Sequence, residues 1–161
     1  MTLTTTFRPK LPVLNVTYYI WTASTSSLST IQNLSYSLSF EPIPVSVLTQ
    51  SELRGPNVLD LPQSSGPLVI ALLSTTWLSP ADDALARRVS LQTMESIENA
   101  AKQAGTWHPY KYIGYADRSQ QVLEGYGKEN VQFLKTVSRR YDPQGVFQRL
   151  VKGGFKLGNE N

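Results

Sequence analysis

The stretch from Leu68 to Trp77, LVIALLSTTW, and the residues Ser79-Pro80-Ala81-Asp82 after it decide the fold. The first half of the stretch is apolar at consecutive positions, which is typical of a strand covered on both faces and predicts a central strand. Ser79 can cap a helix, Pro80 suits its first position and Asp82 favours its positive end. A central strand that leads into a helix indicates a sheet packed on helices.

The remaining helical signals lie downstream. The first helix is expected to stop at Gly105, and its apolar stripe recurs at three- or four-residue spacing through Val89, Thr93, Ile97, Ala100 and Ala104. A second helix is predicted from about Gly127 to Tyr141 and is followed by a turn over 142–145. The tail, residues 146–157, is apolar enough to pack against the rest of the chain.

Residues 13–22, VLNVTYYIWT, are rich in β-branched and aromatic types, which favours a strand. Strand alternation would place Thr17, Tyr19 and Trp21 on one face and Val16, Tyr18 and Ile20 on the other. The Ser/Thr-rich residues 22–30 are expected to form a turn or a short helix.

Residues 34–41, LSYSLSFE, alternate in the manner of a half-buried strand. One face carries Tyr36, Leu38 and Phe40, and the other carries Ser35, Ser37, Ser39 and Glu41. The polar face either meets bulk water or lines a cavity, and composition does not separate the two. Pro42 is expected to end the strand because proline cannot donate to the ladder, and residues 52–67 read as a loop.

Together these elements predict an α+β fold with an antiparallel sheet packed on helices. About three strands are expected. The length of 161 residues fits one domain. Its expected boundaries are a flexible polar leader over 1–12, the domain proper over 13–157 and a short tail over 158–161.

Composition excludes several kinds of chemistry. The chain has no cysteine and one histidine, His108, so thiol nucleophiles, zinc–thiolate sites and multi-histidine metal sites are excluded within it. The net charge of +3 comes from residues 101–161, with ten Lys/Arg against five Asp/Glu, but the signs interleave on a helical pattern. We therefore expect no nucleic-acid partner. No apolar run reaches the roughly 18 residues of a membrane span, and the N-terminal residues lack an apolar signal core, so we expect no membrane span and a cytoplasmic protein.

The densest group of reactive side chains is residues 107–118, WHPYKYIGYADR. A buried tyrosine near Lys or Arg could serve as a general base. The same composition also suits a core-filling aromatic segment with polar tips, and His108 taken alone suits a structural role. Both interpretations stay open.

Motifs along the chain resemble a known family. They include Tyr112-x-x-Tyr115-Ala116-Asp117, Tyr126-Gly127-x-x-Asn130, Tyr141-Asp142-Pro143-x-Gly145-Val146-Phe147-Gln148 and Gly153-Gly154-Phe155-Lys156-Leu157. Upstream, Phe40-Glu41-Pro42-Ile43-Pro44, Gly55-x-Asn57-Val58-Leu59 and Trp77 followed by Asp82-Asp83 agree. Over residues 13–157 the chain resembles the C-terminal part of fungal FAD-linked oxidoreductases of the berberine bridge enzyme-like family.

The resemblance implies one lobe of a two-lobed enzyme. In that family one lobe binds FAD and the other lays an antiparallel sheet over the flavin, whereas this chain matches only the end of the second lobe. A Tyr-x-Asn-Tyr segment of the family meets the flavin, and its second tyrosine can act as a base. Tyr112 and Tyr115 match the tyrosines, but Gly114 replaces the asparagine and offers no amide. The expectation is that this chain binds no FAD by itself.

The resulting functional hypothesis is a flavin-independent cyclase or isomerase, with Diels–Alder-type closure included, acting on a hydrophobic small molecule of fungal secondary metabolism. The expected catalytic residues are Tyr115, Tyr112 and His108. The expected substrate-binding residues are Tyr19, Trp21, Ser37, Ser39, Glu41 and Trp77. The alternatives are a substrate lobe that works with a separate FAD-binding subunit, and a non-catalytic remnant or binding module. A homodimer is expected, since a freed lobe leaves an apolar surface and a sheet edge.

Overall fold

A computed structural model describes residues 1–55 and 57–158. Four strands form one antiparallel sheet in the order β2-β3-β1-β4: β1 (Thr2–Phe7), β2 (Ser35–Ile43), β3 (Leu68–Thr76) and β4 (Trp107–His108). The helices are α1 (Leu11–Thr25), α2 (Val45–Leu53), α3 (Asp83–Gln103), α4 (Lys128–Tyr141) and the short α5 (Val146–Arg149). The expected α+β class, an antiparallel sheet packed on helices, is confirmed, with four strands in the described part instead of about three.

Helices α1 and α3 pack on one face of the sheet. Phe7 of β1 pairs with Val69 of β3, and these two side chains contact Val13 of α1 and Ile97 of α3 in a buried cluster. On the opposite face, Ile70 packs with residues of the 109–126 segment and with α4. The sheet therefore separates a helical core from a second, smaller core, and the second core contains the candidate site.

The expectation of a flexible leader over residues 1–12 is wrong. Thr2–Phe7 is the inner strand β1, paired with β3 along its whole length and with β4 at one end. Thr4, Thr5 and Thr6 are fully buried. Threonine is polar in composition, yet its β-branch suits a pleated, buried surface, and this is why the segment was misread.

The strand predicted over residues 13–22 is also wrong, because these residues lie in helix α1. Pro12 occupies the first turn, where the missing N–H costs nothing. Val13 and Thr17, four residues apart, form the buried stripe. Packing on the sheet and on α3 overrides the strand preference of the β-branched and aromatic residues.

The other predicted elements are confirmed with shifted ends. Strand β2 continues through Pro42 to Ile43 because it is an edge strand, where proline is tolerated. Strand β3 is central, and Ser79 Oγ accepts a hydrogen bond from Ala81 N at 3.2 Å before α3. Gly105 follows α3 with φ +62°. In the described residues no helix is long and apolar enough to cross a membrane.

Downstream, α4 and the turn after it match the prediction. The segment 52–67, predicted as a loop, also contains the end of α2 and a 3-10 turn at Gln63–Ser65. The tail packs in part: Phe155 joins the second core, whereas Phe147 and Leu150 are exposed.

Candidate small-molecule site

A cavity of about 330 Å³ opens on the face of the sheet opposite α1 and α3. Its wall is mainly apolar and is formed by Ile43, Val47, Leu48, Leu59, Leu61 and Ile70. Its polar groups belong to Glu41, Ser51, Asn57, Tyr110, Tyr112 and Tyr115. A mainly apolar cavity with a few convergent polar groups is the usual form of a small-molecule site.

Local sequence explains how the wall is built. Glu41 and Ile43 lie on the same face of β2, and Pro44 then turns the chain into α2. Asn57 Oδ1 accepts a hydrogen bond from Leu59 N at 2.9 Å, and Asn57 Nδ2 donates to Ser51 Oγ at 2.6 Å. These bonds tie the loop to α2, so that the strand, the helix and the loop enclose one space.

Tyr112 and Tyr115 form an aromatic pair at the cavity. Their ring centroids are 4.8 Å apart and their planes are nearly perpendicular, at 88°, a favoured edge-to-face geometry. Tyr115 N donates to Tyr112 O at 3.0 Å and closes the turn that holds both residues. In that turn, a Cβ added at Gly114 would lie 2.9 Å from Tyr112 Cε1. The glycine at this position is thus required by the present position of the Tyr112 ring.

Tyr110 is a further cavity residue that the sequence-based site did not include, although it lies within the reactive 107–118 stretch. Only 4% of its surface is exposed, and its ring stacks on Tyr126 with centroids 6.0 Å apart. Burial first, then the nearby Tyr126 and Tyr112 phenols, raise the pKa of Tyr110 to about 12. At neutral pH its hydroxyl is therefore protonated and able to donate.

His108 lies beside the cavity and is not part of its wall. Its Nδ1 accepts a hydrogen bond from Tyr110 N at 3.2 Å, and its Nε2 lies 3.4 Å from Ser65 Oγ. Burial and the Arg8 charge lower the pKa of His108, and Asp60 opposes them in part. The neutral ring holds the backbone of Tyr110, so the geometry gives His108 a positioning contact.

Of the predicted substrate-binding residues, Glu41 lines the cavity and the others do not. Ser37 and Ser39 share its face of β2 but lie farther along the strand. Tyr19 is 67% exposed on α1, and Trp21 stacks on Tyr36, on the helical side of the sheet.

Trp77 is separated from the cavity in the same way. Its Nε1 donates to Asp83 Oδ1 at 2.6 Å, and it packs near the start of α3. Tyr19 and Trp21 were expected in a strand, and their place in α1 removes them from the polar face of the sheet.

An ion-pair network anchors the segment that carries the tyrosines. Lys111 Nζ lies 3.3 Å from Glu98 Oε2, and Lys102 Nζ lies 2.8 Å from Glu98 Oε1. Burial alone would raise the pKa of Glu98, but the hydrogen bonds and charges of Lys102 and Lys111 lower it below its usual value. Lys111 is held against α3, while its neighbours Tyr110 and Tyr112 line the cavity.

A larger cavity, about 690 Å³, lies between α4, residues 120–124 and the tail. It includes Lys128, Lys135 and Lys156, but none of the sequence-predicted site residues. Lys156 Nζ already donates to the carbonyl oxygens of Phe147 and Val151. No group of three or more His, Asp or Glu that could hold a metal occurs in the described residues.

Comparison with known proteins shows that the chain is similar to parts of fungal enzymes, several of which are named as FAD-dependent monooxygenases. It is 38% identical over 120 residues to an FAD-dependent monooxygenase of Fusarium proliferatum, covering 74% of this chain and 23% of that protein. It is 32% identical over 117 residues to the bifunctional solanapyrone synthase of Alternaria solani, covering 73% of this chain and 22% of that protein. The chain is similar to part of these fungal enzymes.

A third relative carries a different name. The chain is 35% identical over 147 residues to an oligopeptidase of Diaporthe leptostromiformis, covering 90% of this chain and 12% of that protein. The chain thus spans less than a quarter of the length of these curated relatives. No family model matches the chain, and no solved structure matches it.

FAD, which the names of several relatives imply, does not fit the tyrosine-lined cavity. The dinucleotide carries a pyrophosphate, which proteins bind with glycine-rich backbone N–H groups, a helix N-terminus or cationic side chains. The cavity wall contains the Glu41 carboxylate and no Lys or Arg, and the sequence has no G-x-G-x-x-G pattern.

Proposed function

We propose that the protein is a flavin-independent cyclase or isomerase that acts on an apolar small molecule of fungal secondary metabolism. The observation that carries this proposal is the apolar cavity at which the Tyr112–Tyr115 pair and Glu41 converge. The relative named a solanapyrone synthase supports the substrate class. The chain has no G-x-S-x-G serine elbow, the motif of serine hydrolases with the α/β-hydrolase fold.

The proposed catalysis rests on orientation. In a Diels–Alder-type closure the two π bonds of a diene and the π bond of an alkene are broken, and two carbon–carbon σ bonds and one new π bond form in their place. No atom, proton or electron leaves the molecule. Holding the reacting ends together can remove about 7–11 kcal/mol of barrier in ideal cases. The apolar wall would fold the chain of the substrate, and the Tyr112 and Tyr115 hydroxyls would hydrogen-bond its polar end.

The test is incubation of the purified protein with a linear apolar trienone, followed by chromatography of the cyclised products. We expect a faster reaction and a changed product ratio relative to a protein-free blank. Tyr115→Phe and Tyr112→Phe should reduce both effects, whereas Tyr19→Phe, a matched change at an exposed residue outside the cavity, should not. A product profile equal to the blank would overturn the cyclisation proposal.

A second candidate is a substrate lobe that acts with an FAD-binding part, encoded in the same or a separate chain. Two observations favour it. The FAD-dependent relative from Fusarium proliferatum is more than four times as long as the matched segment, and apolar side chains are exposed near the α4–α5 end. These side chains are Phe133, Tyr141, Phe147 and Leu150, and exposed apolar groups of this kind often mark an interface.

Flavin titration separates the two candidates. Under the first, FAD fluorescence is unchanged when the protein is added, and the purified protein is colourless while still accelerating cyclisation. Under the second, the protein becomes active only with an FAD-loaded partner, and Phe147→Ser with Leu150→Ser should weaken that assembly. Tightly bound flavin in the isolated chain would contradict the flavin-independent proposal.

A further inference from the structure

Tyr110 combines deep burial with an unpaired hydroxyl. Within the described residues, no hydrogen bond to its phenol oxygen is formed, and the fully inaccessible polar atoms without a partner belong to Thr4, Thr6, Thr17, Trp21 and Trp107. The Tyr110 hydroxyl therefore reaches accessible space, and the cavity is the space that Tyr110 lines. An accessible phenol hydroxyl without a protein partner can donate its proton in a hydrogen bond to a ligand.

The Tyr110 ring is held in a fixed position. Its backbone N–H donates to His108 Nδ1, and its ring stacks on Tyr126. Gly125 approaches so closely that an added Cβ would lie 2.2 Å from the Pro109 carbonyl oxygen and 3.4 Å from Tyr110 Cα. These contacts leave the Tyr110 side chain little freedom to turn away from the cavity. A donor that is already held in position loses little conformational entropy when a ligand binds.

We infer that the cavity takes an apolar molecule bearing a carbonyl oxygen and that Tyr110 is the donor to this oxygen, in addition to the Tyr112 and Tyr115 hydroxyls proposed above. The inference rests on the proposed function, since it specifies the ligand of the same cavity. The raised pKa of Tyr110 supports it, because a phenol that stays protonated keeps its O–H as a donor, and a carbonyl oxygen, which can only accept, is a matching partner. A ligand that is apolar throughout would leave this hydroxyl buried and unpaired, at a cost.

The experiment compares two small bicyclic probes that differ by the carbonyl, α-tetralone and tetralin. Their affinities are measured by calorimetry for the wild-type protein, Tyr110→Phe and Tyr126→Phe. Tyr126→Phe is the matched control, because Tyr126 stacks on Tyr110 but does not line the cavity. Infrared spectroscopy of bound α-tetralone gives a second readout, since a donated hydrogen bond lowers the carbonyl stretching frequency.

We expect Tyr110→Phe to weaken α-tetralone binding about three- to tenfold, the usual net effect of one hydrogen bond. Tetralin should bind to the variant at least as tightly as to the wild type, because the variant has no hydroxyl left buried without a partner. The carbonyl shift should be complete in the wild type and in Tyr126→Phe, and smaller in Tyr110→Phe. A shift that persists unchanged in Tyr110→Phe, or is reduced only in Tyr112→Phe, would overturn the role of Tyr110.

The outcomes also separate this inference from the proposed function. If both probes bind and Tyr110→Phe affects neither, the cavity is a ligand site but Tyr110 is not its donor. If neither probe binds the wild type, the cavity is not a site for such molecules, and both proposals fail. If Tyr110→Phe does not fold, a nuclear Overhauser contact between α-tetralone and the Tyr110 ring of the wild type decides, and its absence contradicts the inference.

Discussion

Two glycines near the cavity are constrained by different kinds of neighbour. A Cβ at Gly125 would meet the backbone carbonyl of Pro109 at 2.2 Å, and a Cβ at Gly114 would meet the Tyr112 ring at 2.9 Å. A backbone carbonyl cannot move without its strand or turn, whereas an aromatic ring near the surface can rotate. Replacing each glycine with alanine should therefore change the free energy of unfolding by different amounts.

We predict that Gly125→Ala lowers the free energy of unfolding by about 1–3 kcal/mol, as overpacking usually does. Gly114→Ala should cost much less, but should displace the Tyr112 ring from Tyr115. Urea unfolding measures the first effect, and near-ultraviolet circular dichroism reports the second. Without a clash, alanine in the 3-10 turn Leu123–Tyr126 would stabilise the protein. A more stable Gly125→Ala variant would therefore contradict the close approach.

His108 predicts a specific pH dependence. Burial and the Arg8 charge lower its pKa in the folded protein, with Asp60 opposing. The unfolded chain, with an ordinary pKa of about 6.5, therefore binds the proton more readily. Stability is full above that value and falls as the pH drops from about 6.5 toward the lowered folded pKa.

The measurement is urea unfolding between pH 7.5 and pH 5. Glu98 and Asp117 stay ionised in the folded protein over this range, because their pKa values are lowered. His108→Gln should flatten the slope in this window, because the chain has no other histidine. Arg8→Gln should reduce the slope without removing it. A slope that persists unchanged in His108→Gln would exclude His108 as its source.

At the scale of elements, strand β1 shows where sequence patterns are weakest. Phe7 and Leu11 both belong to the predicted leader, but Phe7 is 0% exposed between β3 and the helices, and Leu11 is 69% exposed at the start of α1. Both residues are large and apolar, but one is buried in the core and the other is exposed to solvent.

We predict that Phe7→Ala lowers the free energy of unfolding by about 3–5 kcal/mol, through lost burial and the cavity left behind. Leu11→Ala should change it by less than about 0.5 kcal/mol, as is usual for an exposed site. Chemical unfolding followed by far-ultraviolet circular dichroism measures both. A small cost for Phe7→Ala, comparable with that of Leu11→Ala, would argue against an inner strand at residues 2–7.

The sequence predicted the elements whose signals are local. Strand β3 has a continuous apolar run. Helix α3 is preceded by the 3-10 turn Pro80–Asp82, which Ser79 caps, and is followed by Gly105. For β1 and α1 the local signals conflict with the tertiary environment: threonines are buried in the first, and strand-forming residues are helical in the second. Single-sequence patterns do not register which surface a segment will pack on.

Only part of the candidate site was predicted from the sequence, because local patterns show some of its residues and the others come together only in the folded chain. Tyr112 and Tyr115 were predicted from the dense reactive stretch 107–118 and from the tyrosine motif of the family that the chain resembles, and Glu41 was predicted from strand alternation, which is a local property. The rest of the wall comes from α2, the 57–61 loop and β3, which are distant in sequence. Tyr110 differs from its tyrosine neighbours only in burial, which no spacing in the sequence encodes.

At the scale of the whole molecule, the sheet has one long free edge. Strand β2 is terminal in the described sheet, is nine residues long and carries a single charge, Glu41. Protein edges are commonly protected by lysines, bulges or prolines, and here Pro42 is the one such feature in the strand. An unprotected edge favours pairing with another strand.

We predict a homodimer in which two β2 strands pair antiparallel across a two-fold axis and join the sheets. An antiparallel pair of identical strands is self-complementary, which is what a two-fold interface requires. In a register centred on Leu38, Ser37 of one protomer faces Ser39 of the other, and Glu41 faces no second carboxylate. Light scattering at micromolar concentration should give the mass of two chains.

A charge substitution tests whether β2 forms that interface. Ser37→Lys with Ser39→Lys would place ammonium groups opposite one another, and like charges across strands are destabilising, so the double variant should be monomeric. Ser29→Lys with Thr30→Lys adds the same charge at exposed residues outside the sheet, and should stay dimeric. If both variants remain dimers, another surface holds the protomers together and the β2 interface is excluded. If the wild-type protein is a monomer at this concentration, the prediction of a homodimer is wrong.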